Sequence, residues 1–313
     1  MFEEYVKKLN LGEMGRYFLF VVLIAIVLLT GIINPRFFNP NNLFNILLQI
    51  SVLGVVAMGA TVLLISAGLD LSVGSMLSVS AYISGMVIGI TGSTYLGILT
   101  ALAVATAIGA FNGLLVATDR AHPFIITLGM MTLLQGVAVA ISRGSPINSM
   151  GNLFSLIGIR ELGGVIPLPV IIFFVVTILV WVFLRKVPWG RYAYAIGGNE
   201  EASRLSGVKT KRVKIALYTL NGFLVGIGAV LLSSILDSAL PNMGNGYALR
   251  AIAAVVIGGT PLFGGRGSVW GTLAGVLLLG LVSNSINMLG ISANFQDVVL
   301  GTIILFAVMS QKY

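Results

Sequence analysis

The chain has 313 residues, 57% hydrophobic and only 9% charged, with a formal net charge of +8 and no cysteine. Soluble domains carry roughly 25% charged residues, and a soluble chain of this length cannot hide so much apolar surface. A soluble protein is therefore excluded, and the lack of cysteine excludes disulfides, thiolate metal sites and cysteine nucleophiles.

A spanning helix needs about 20 mostly apolar residues. In chain order, ten candidates emerge, some clear and some short: 16–33, 44–66, 72–90, 95–118, 123–141, 167–184, 213–236, 247–260, 269–289 and 294–310. The opening stretch MFEEYVKKLNLGEMGRYFLF carries three Glu among its bases and leads into a long apolar run. It reads as a retained first span, since a cleaved leader has a shorter core and a small-residue cleavage site. The run 247–260 is too short to cross unaided, so it is either buried in protein or part of a broken helix. None of the runs alternates apolar and polar residues, which excludes a transmembrane β-barrel. The expected fold is an all-α polytopic membrane bundle of about ten segments, some short or broken, forming one domain over 1–313.

Charge sets the orientation. With the N-terminus in the cytoplasm, fourteen Lys and Arg fall on inner loops and four (Arg36, Arg143, Arg160 and Arg250) on outer ones. The positive-inside rule supports this arrangement, with both termini cytoplasmic. The same rule accounts for the net charge without nucleic acid, and no stretch interleaves basic and aromatic residues as a nucleic-acid groove does. Eight of the fourteen inner cations lie in 185–214.

The outer loop 142–166 is rich in Gly, Ser, Asn and Pro and reads either as an ordered lid or docking surface or as a connector. ISAGLDLSVGS (Ile65–Ser75) and IGGTPLFGGRGS (Ile257–Ser268) echo one another across a one-residue gap. Broken helices at matching positions of a repeat give such echoes, and so does chance similarity of Gly-rich turns.

One short segment breaks the apolar pattern. AIGGNEEASRLSGVKTKRVK (Ala195–Lys214) holds seven charged side chains. Gly197-Gly198 is expected to break the preceding structure, and Asn199 to cap a helix N-terminus. Glu200 and Glu201 fall in the first turn, where the helix dipole favours negative charge. Glu200 and Arg204, spaced i,i+4, can pair, and Gly207 suits the left-handed position after a helix. A two-turn helix is marginal alone, so it needs a partner surface, for which Leu205 and nearby Ala202 offer an apolar face. On the residues alone, a capped loop with no further role remains the alternative.

Four segments, in order along nearly the whole chain, resemble the permease subunits of ribose-type ABC importers: SAGLDLSVGSMLSVSA, FNGLLVATDRAHPFIITLGMMTLLQGVA, GRYAYAIGGNEEASRLSGVKTKRVK and AIAAVVIGGTPLFGGRGSVWGTLAGVLLLGLVSNSINMLG. The resemblance implies a multi-pass protein of the bacterial inner membrane that pairs with a second copy or a paralogue. It further implies cytoplasmic ATPase subunits and an external solute-binding protein as partners. Gly198, Asn199, Glu200, Glu201, Arg204, Leu205 and Gly207 would form the segment that docks on the ATPase. ATP and magnesium would sit on that partner, leaving this chain with no cofactor, no metal and no catalysis of its own. The absence of G-x-x-x-x-G-K-[ST] agrees; GGTPLFGGRGS has glycines but no Lys and no preceding strand. The sequence departs from the family pattern at Asp237 and Arg250, which at the outer span ends could pair or could contact the binding protein or the solute.

Polar residues inside spans are costly and point to function by default. The candidates are Asn112, Gln135, Asn221, Asn284, Asn287 and Gln296. Neutral amides suit a path for an uncharged polar solute such as a sugar, and equally suit hydrogen bonds between helices. Asn284 and Asn287 share a helix face. Asp70, in a break between spans, reads as a helix cap or a gate. The solitary His122 precedes Pro123 at a helix start, and a lone His without clustered carboxylates is a poor metal ligand. The competing readings are a same-architecture permease for amino acids or nucleosides, and a secondary transporter. A membrane-embedded enzyme lacks the H-E-x-x-H and Ser-His signatures.

Overall fold

The computed structural model describes residues 23–162, 166–292 and the positions 295, 298, 301 and 302. Within them are twelve α-helices: α1 Leu23–Ile33, α2 Pro40–Ile65, α3 Val73–Thr91, α4 Thr94–Val116, α5 Pro123–Ser142, α6 Asn152–Ile159, α7 Leu168–Lys186, α8 Pro188–Gly198, α9 Glu200–Leu205, α10 Thr210–Leu236, α11 Tyr247–Ile257 and α12 Val269–Met288. Seven of these (α2, α3, α4, α5, α7, α10 and α12) are long and apolar enough to cross a membrane. The chain is thus a polytopic helical membrane protein. The expected ten spans become seven among the described residues, because the first run is only partly covered, 294–310 lies largely outside them, and α11 is short. At about 1.5 Å per residue, the 11 residues of α11 rise about 16 Å, half a bilayer core. Both termini lie outside the described residues.

Burial, and not apolarity, separates the layers, since the central and edge helices are about equally apolar. In α2, 83% of the apolar window is buried, and it runs through the centre of the bundle; α5, at 22%, lies at the edge. The tightest pairing is α4 against α10. Ala101, Ala105, Gly109 and Gly113 recur every four residues on α4, facing Gly226, Gly222, Tyr218 and Ile215 on α10 in antiparallel register. A Cβ on Gly109 would sit 2.8 Å from the Gly222 Cα, and one on Gly113 would sit 2.8 Å from the Ile215 Cα. Lipid supplies no hydrophobic drive between helices, so close backbone packing of small residues holds them together.

Two helices begin inside the bundle. The chain between α2 and α3 (residues 66–72) turns back through Ala67, at φ 58°, and α3 starts among buried residues from Leu71 to Gly74. Between α10 and α11, Asp237 turns left-handed, and Gly244 packs its backbone on that of Gly74. The Gly244 N–H donates to Ser78 Oγ at 2.9 Å. Non-helical backbone at this depth is tolerated because protein surrounds it. The two echoing segments also meet: the Gly265 N–H donates to the Ile65 carbonyl at 2.9 Å.

The loop 142–166, expected on the outer side, is ordered over its described residues. Its strand β1 (Ile147–Asn148) pairs antiparallel with β4 (Ser238–Ala239), with Ile147 opposite Ala239. A second two-residue pair, β2 (Glu161–Leu162) and β3 (Ile166–Pro167), closes the loop. Asp237 pins it: its carboxyl accepts from the Met150 N–H at 3.1 Å and from Ser155 Oγ. Met150 and Phe154 are buried beneath. Asp237 thus serves to stitch the loop to the C-terminal end of α10.

Candidate functional site

The polar segment is built from an elbow, a platform and a tip. Val187 is extended and Pro188 opens α8. The turn is so tight that a Cβ on Gly190 would strike the Phe183 carbonyl and lie 2.6 Å from the Leu184 Cα. The α8 helix buries Gly190, Ala193 and Ile196, and Tyr194 donates its hydroxyl to the Gly267 carbonyl at 3.1 Å. Contrary to the expectation from sequence, Gly197 and Gly198 do not break the helix; they complete its last turn. Gly197 is small because backbone crosses it. A Cβ there would strike the Ile65 carbonyl and lie 2.5 Å from the Gly265 nitrogen. Three segments distant in sequence therefore join at one backbone junction: the end of α2, the end of α8 and the loop before α12.

Asn199 supplies the break. At φ −162° it leaves the helix, and its Oδ1 accepts from the Ala202 N–H at 2.8 Å. The six residues of α9 end in the double closure typical of a left-handed cap. The Gly207 N–H reaches the Arg204 carbonyl, and the Val208 N–H reaches the Ser203 carbonyl, each at 3.0 Å. Gly207 sits at φ 85°. Both expected caps are present.

The ion pairs differ from the expected Glu200–Arg204. Arg204 pairs instead with Glu201, Nη2 to Oε1 at 2.6 Å and Nε to Oε2 at 3.0 Å. This exposed fork holds the Glu201 carboxyl below its usual range and the guanidinium above its own. Glu200 points the other way, to Lys214 Nζ at 2.6 Å, and Lys214 also meets Asp119 Oδ1 at 2.9 Å. Lys211 lies 3.7 Å from the same aspartate. The Lys214 side chain is only 13% exposed, so this bridge welds α9, the base of α10 and the end of α4. Sequence reasoning missed Lys214 and Asp119, having counted one for topology and not weighed the other. On α9, Ser203 faces the bundle, whereas Ala202 and Leu205 are exposed, Leu205 at 77%.

The polar candidates within the bundle divide into three kinds. Asp70, Asn112 and Asn221 form one buried cluster. Asp70 Oδ1 accepts from the Ser72 N–H and hydroxyl at 2.9 and 2.6 Å, and Oδ2 accepts from Asn221 Nδ2 at 3.1 Å. Asn112 Nδ2 donates to Ser72 Oγ at 2.8 Å. The neighbouring Leu69 carbonyl takes the Tyr218 hydroxyl at 2.9 Å. The Oδ1 atoms of Asn112 and Asn221 have no partner, and that of Asn221 fills the space a side chain at Gly59 would need. The second kind is a seam: Asn284 exchanges amide hydrogen bonds with Asn42 at 2.8 and 3.1 Å, tying α12 to α2. Its helix neighbour Asn287 is exposed. The third is Gln135, exposed on the outward side of α5 near Gly129 and Gly136, around which a Cβ would meet open space. Gln296 lies outside the described residues.

The family model described as "Branched-chain amino acid transport system / permease component" matches residues 42–308. This chain belongs to that permease family. The permease is 43% identical over 310 residues to the ribose import permease protein RbsC of Escherichia coli (strain K12), covering 97% of this chain and 95% of that one. It is 41% identical over 304 residues to RbsC of Bacillus subtilis (strain 168), covering 96% and 94%. It is 35% identical over 298 residues to the L-arabinose transport system permease protein AraH of E. coli, covering 95% and 90%. No solved structure matches the chain. The resemblance carried by the four sequence segments is that of the family to which the permease belongs. Its apolar helices and its family make it a multi-pass inner-membrane protein.

Proposed function

We propose that the permease forms, as a single transmembrane domain over 1–313, the translocation path of an ABC importer for a sugar or similar small polar solute. Two copies, or one copy and a paralogue, pair in the bilayer. Cytoplasmic ATPase subunits, carrying ATP and magnesium, drive the cycle, and an external binding protein delivers the solute. The observation that carries this reading is α9. It is a stiff helix capped at both ends, anchored on one side through Glu200–Lys214 and presenting an exposed Leu205 beside the Glu201–Arg204 fork. A leucine so exposed next to charges, on the basic inner side, fits the apolar cleft of a cytoplasmic partner.

The polar candidates then separate by role. Asn112, Asn221 and Asp70 hold the break between α2 and α3, and Asn284 holds a helix seam. Gln135 is the group free to face a second copy across the path, where an amide exposed to lipid alone would be costly. Sugar is preferred to amino acid as solute because the named relatives carry sugars in their names at 35–43% identity.

Two measurements test this. Leu205→Asp should reduce solute-stimulated ATP hydrolysis of the assembled complex by about 30-fold, the scale of an interface anchor, while membrane insertion stays normal. Stimulation at the native rate would remove the docking role. Because the chain has no cysteine, Gln135→Cys introduces a unique thiol. Where two copies pair, oxidation in the membrane should yield a crosslinked pair, whereas Asn112→Cys, fully buried, should not; a monomer in both cases would remove Gln135 from the path of a two-copy pair.

A further inference from the structure

The elbow between α7 and α8 carries a pattern that coupling does not use. Between Glu161 and Glu200 the chain has no acidic residue, yet it contains Arg185, Lys186 and Arg191. All three are exposed, and among the described residues none takes part in an ion pair. Trp189 and Tyr192, one turn apart on α8, are 40% and 39% exposed. Such aromatic rings settle at the level of lipid headgroups.

The cations do not stand alone. On α7, Val175, Ile178, Leu179 and Val182 form an exposed apolar stripe at helical spacing, and the next positions of that stripe are Arg185 and Lys186. The 19 residues of α7 rise about 28 Å, close to the bilayer core, which brings its last turn to the headgroups of the cytoplasmic leaflet. Apolar surface for acyl chains therefore runs directly into uncompensated positive charge, flanked by interfacial aromatics.

We propose that this elbow binds an anionic phospholipid of the cytoplasmic leaflet. Its acyl chains lie along the Val175–Val182 stripe, and its headgroup phosphate rests on Arg185, Lys186 and Arg191. Because α8 continues into Gly197 and the three-segment junction, the lipid steadies the platform on which α9 stands. The site stands whether or not α9 docks an ATPase.

The test uses the permease alone in lipid nanodiscs. Of its three tryptophans, Trp181 and Trp270 pack on each other. Trp181→Phe with Trp270→Phe leaves Trp189 as the sole emitter. Brominated phosphatidylglycerol should quench it at a far lower mole fraction than brominated phosphatidylcholine. With about fivefold per cation, the preference should reach about 100-fold and should vanish in the Arg185→Gln, Lys186→Gln, Arg191→Gln variant. Native mass spectrometry of the unsubstituted permease should independently retain phosphatidylglycerol over phosphatidylcholine. Equal quenching by the two lipids would overturn the proposal. So would loss of the preference on adding millimolar inorganic phosphate, which would identify a free-phosphate site instead.

Discussion

Gly197→Val is expected to abolish coupled transport and to lower the melting temperature of the purified permease sharply, whereas Gly198→Ala is expected to leave both near native. The two glycines are adjacent, close the same helix, and look alike in sequence. Their surroundings are opposite. A Cβ on Gly197 meets the Ile65 carbonyl and the Gly265 nitrogen; one on Gly198 meets nothing within 4 Å. The atoms in the way are backbone, held by their own hydrogen bond at 2.9 Å, so no side chain can swing aside. Overpacking of this kind costs about 3 kcal/mol or more, against about 0.5 kcal/mol for a surface change. Thermal melting in detergent and ATP hydrolysis by the assembled complex check the pair. Equal tolerance of both substitutions would mean that the junction is looser than described.

The second large effect lies at Asp70. Asp70→Ala removes the acceptor for the Ser72 N–H and hydroxyl and for Asn221 Nδ2, leaving buried donors empty. Each unsatisfied group costs about 1–3 kcal/mol, so the loss should reach about 3–5 kcal/mol. Asp70→Asn should cost about 1 kcal/mol or less. Its carbonyl keeps the Ser72 bonds, and its new amide donor finds an acceptor once Asn221 flips, because the Asn221 Oδ1 is unpartnered. Melting of the three proteins side by side decides it. An Asn variant as unstable as the Ala variant would show that the carboxylate charge, rather than its acceptors, holds the site.

Much of the polar segment Ala195–Lys214 was legible in sequence because its rules are local. Asn199 caps from three residues away and Gly207 needs only its own left-handed backbone, so both could be placed from neighbours. Glu200 shows where this ends. Local spacing favoured Arg204, but Glu201 took that partner, and Glu200 turned to Lys214, fourteen positions on and brought beside it by the fold of α10. Gly197 and Gly198 likewise read as a break, because nothing nearby in sequence reveals a carbonyl from residue 65. The intramembrane amides were recognised as costly, yet their partners were not visible: Asn221 meets Asp70 across 151 positions, and Asn284 meets Asn42 across 242.

Composition and hydropathy by themselves determined that this chain lives in lipid as a helical bundle, and local capping rules that one short capped helix interrupts its apolar pattern. Those properties depend on how many residues are apolar and on interactions within one helical turn. Only the tertiary structure decided which glycines are crossed by backbone, which amides bond inward and which faces out, and that the end of α2, the end of α8 and the loop before α12 share one junction. Each of these is a meeting of backbones or polar groups far apart in sequence, set by close packing in a solvent that offers them no alternative hydrogen bonds.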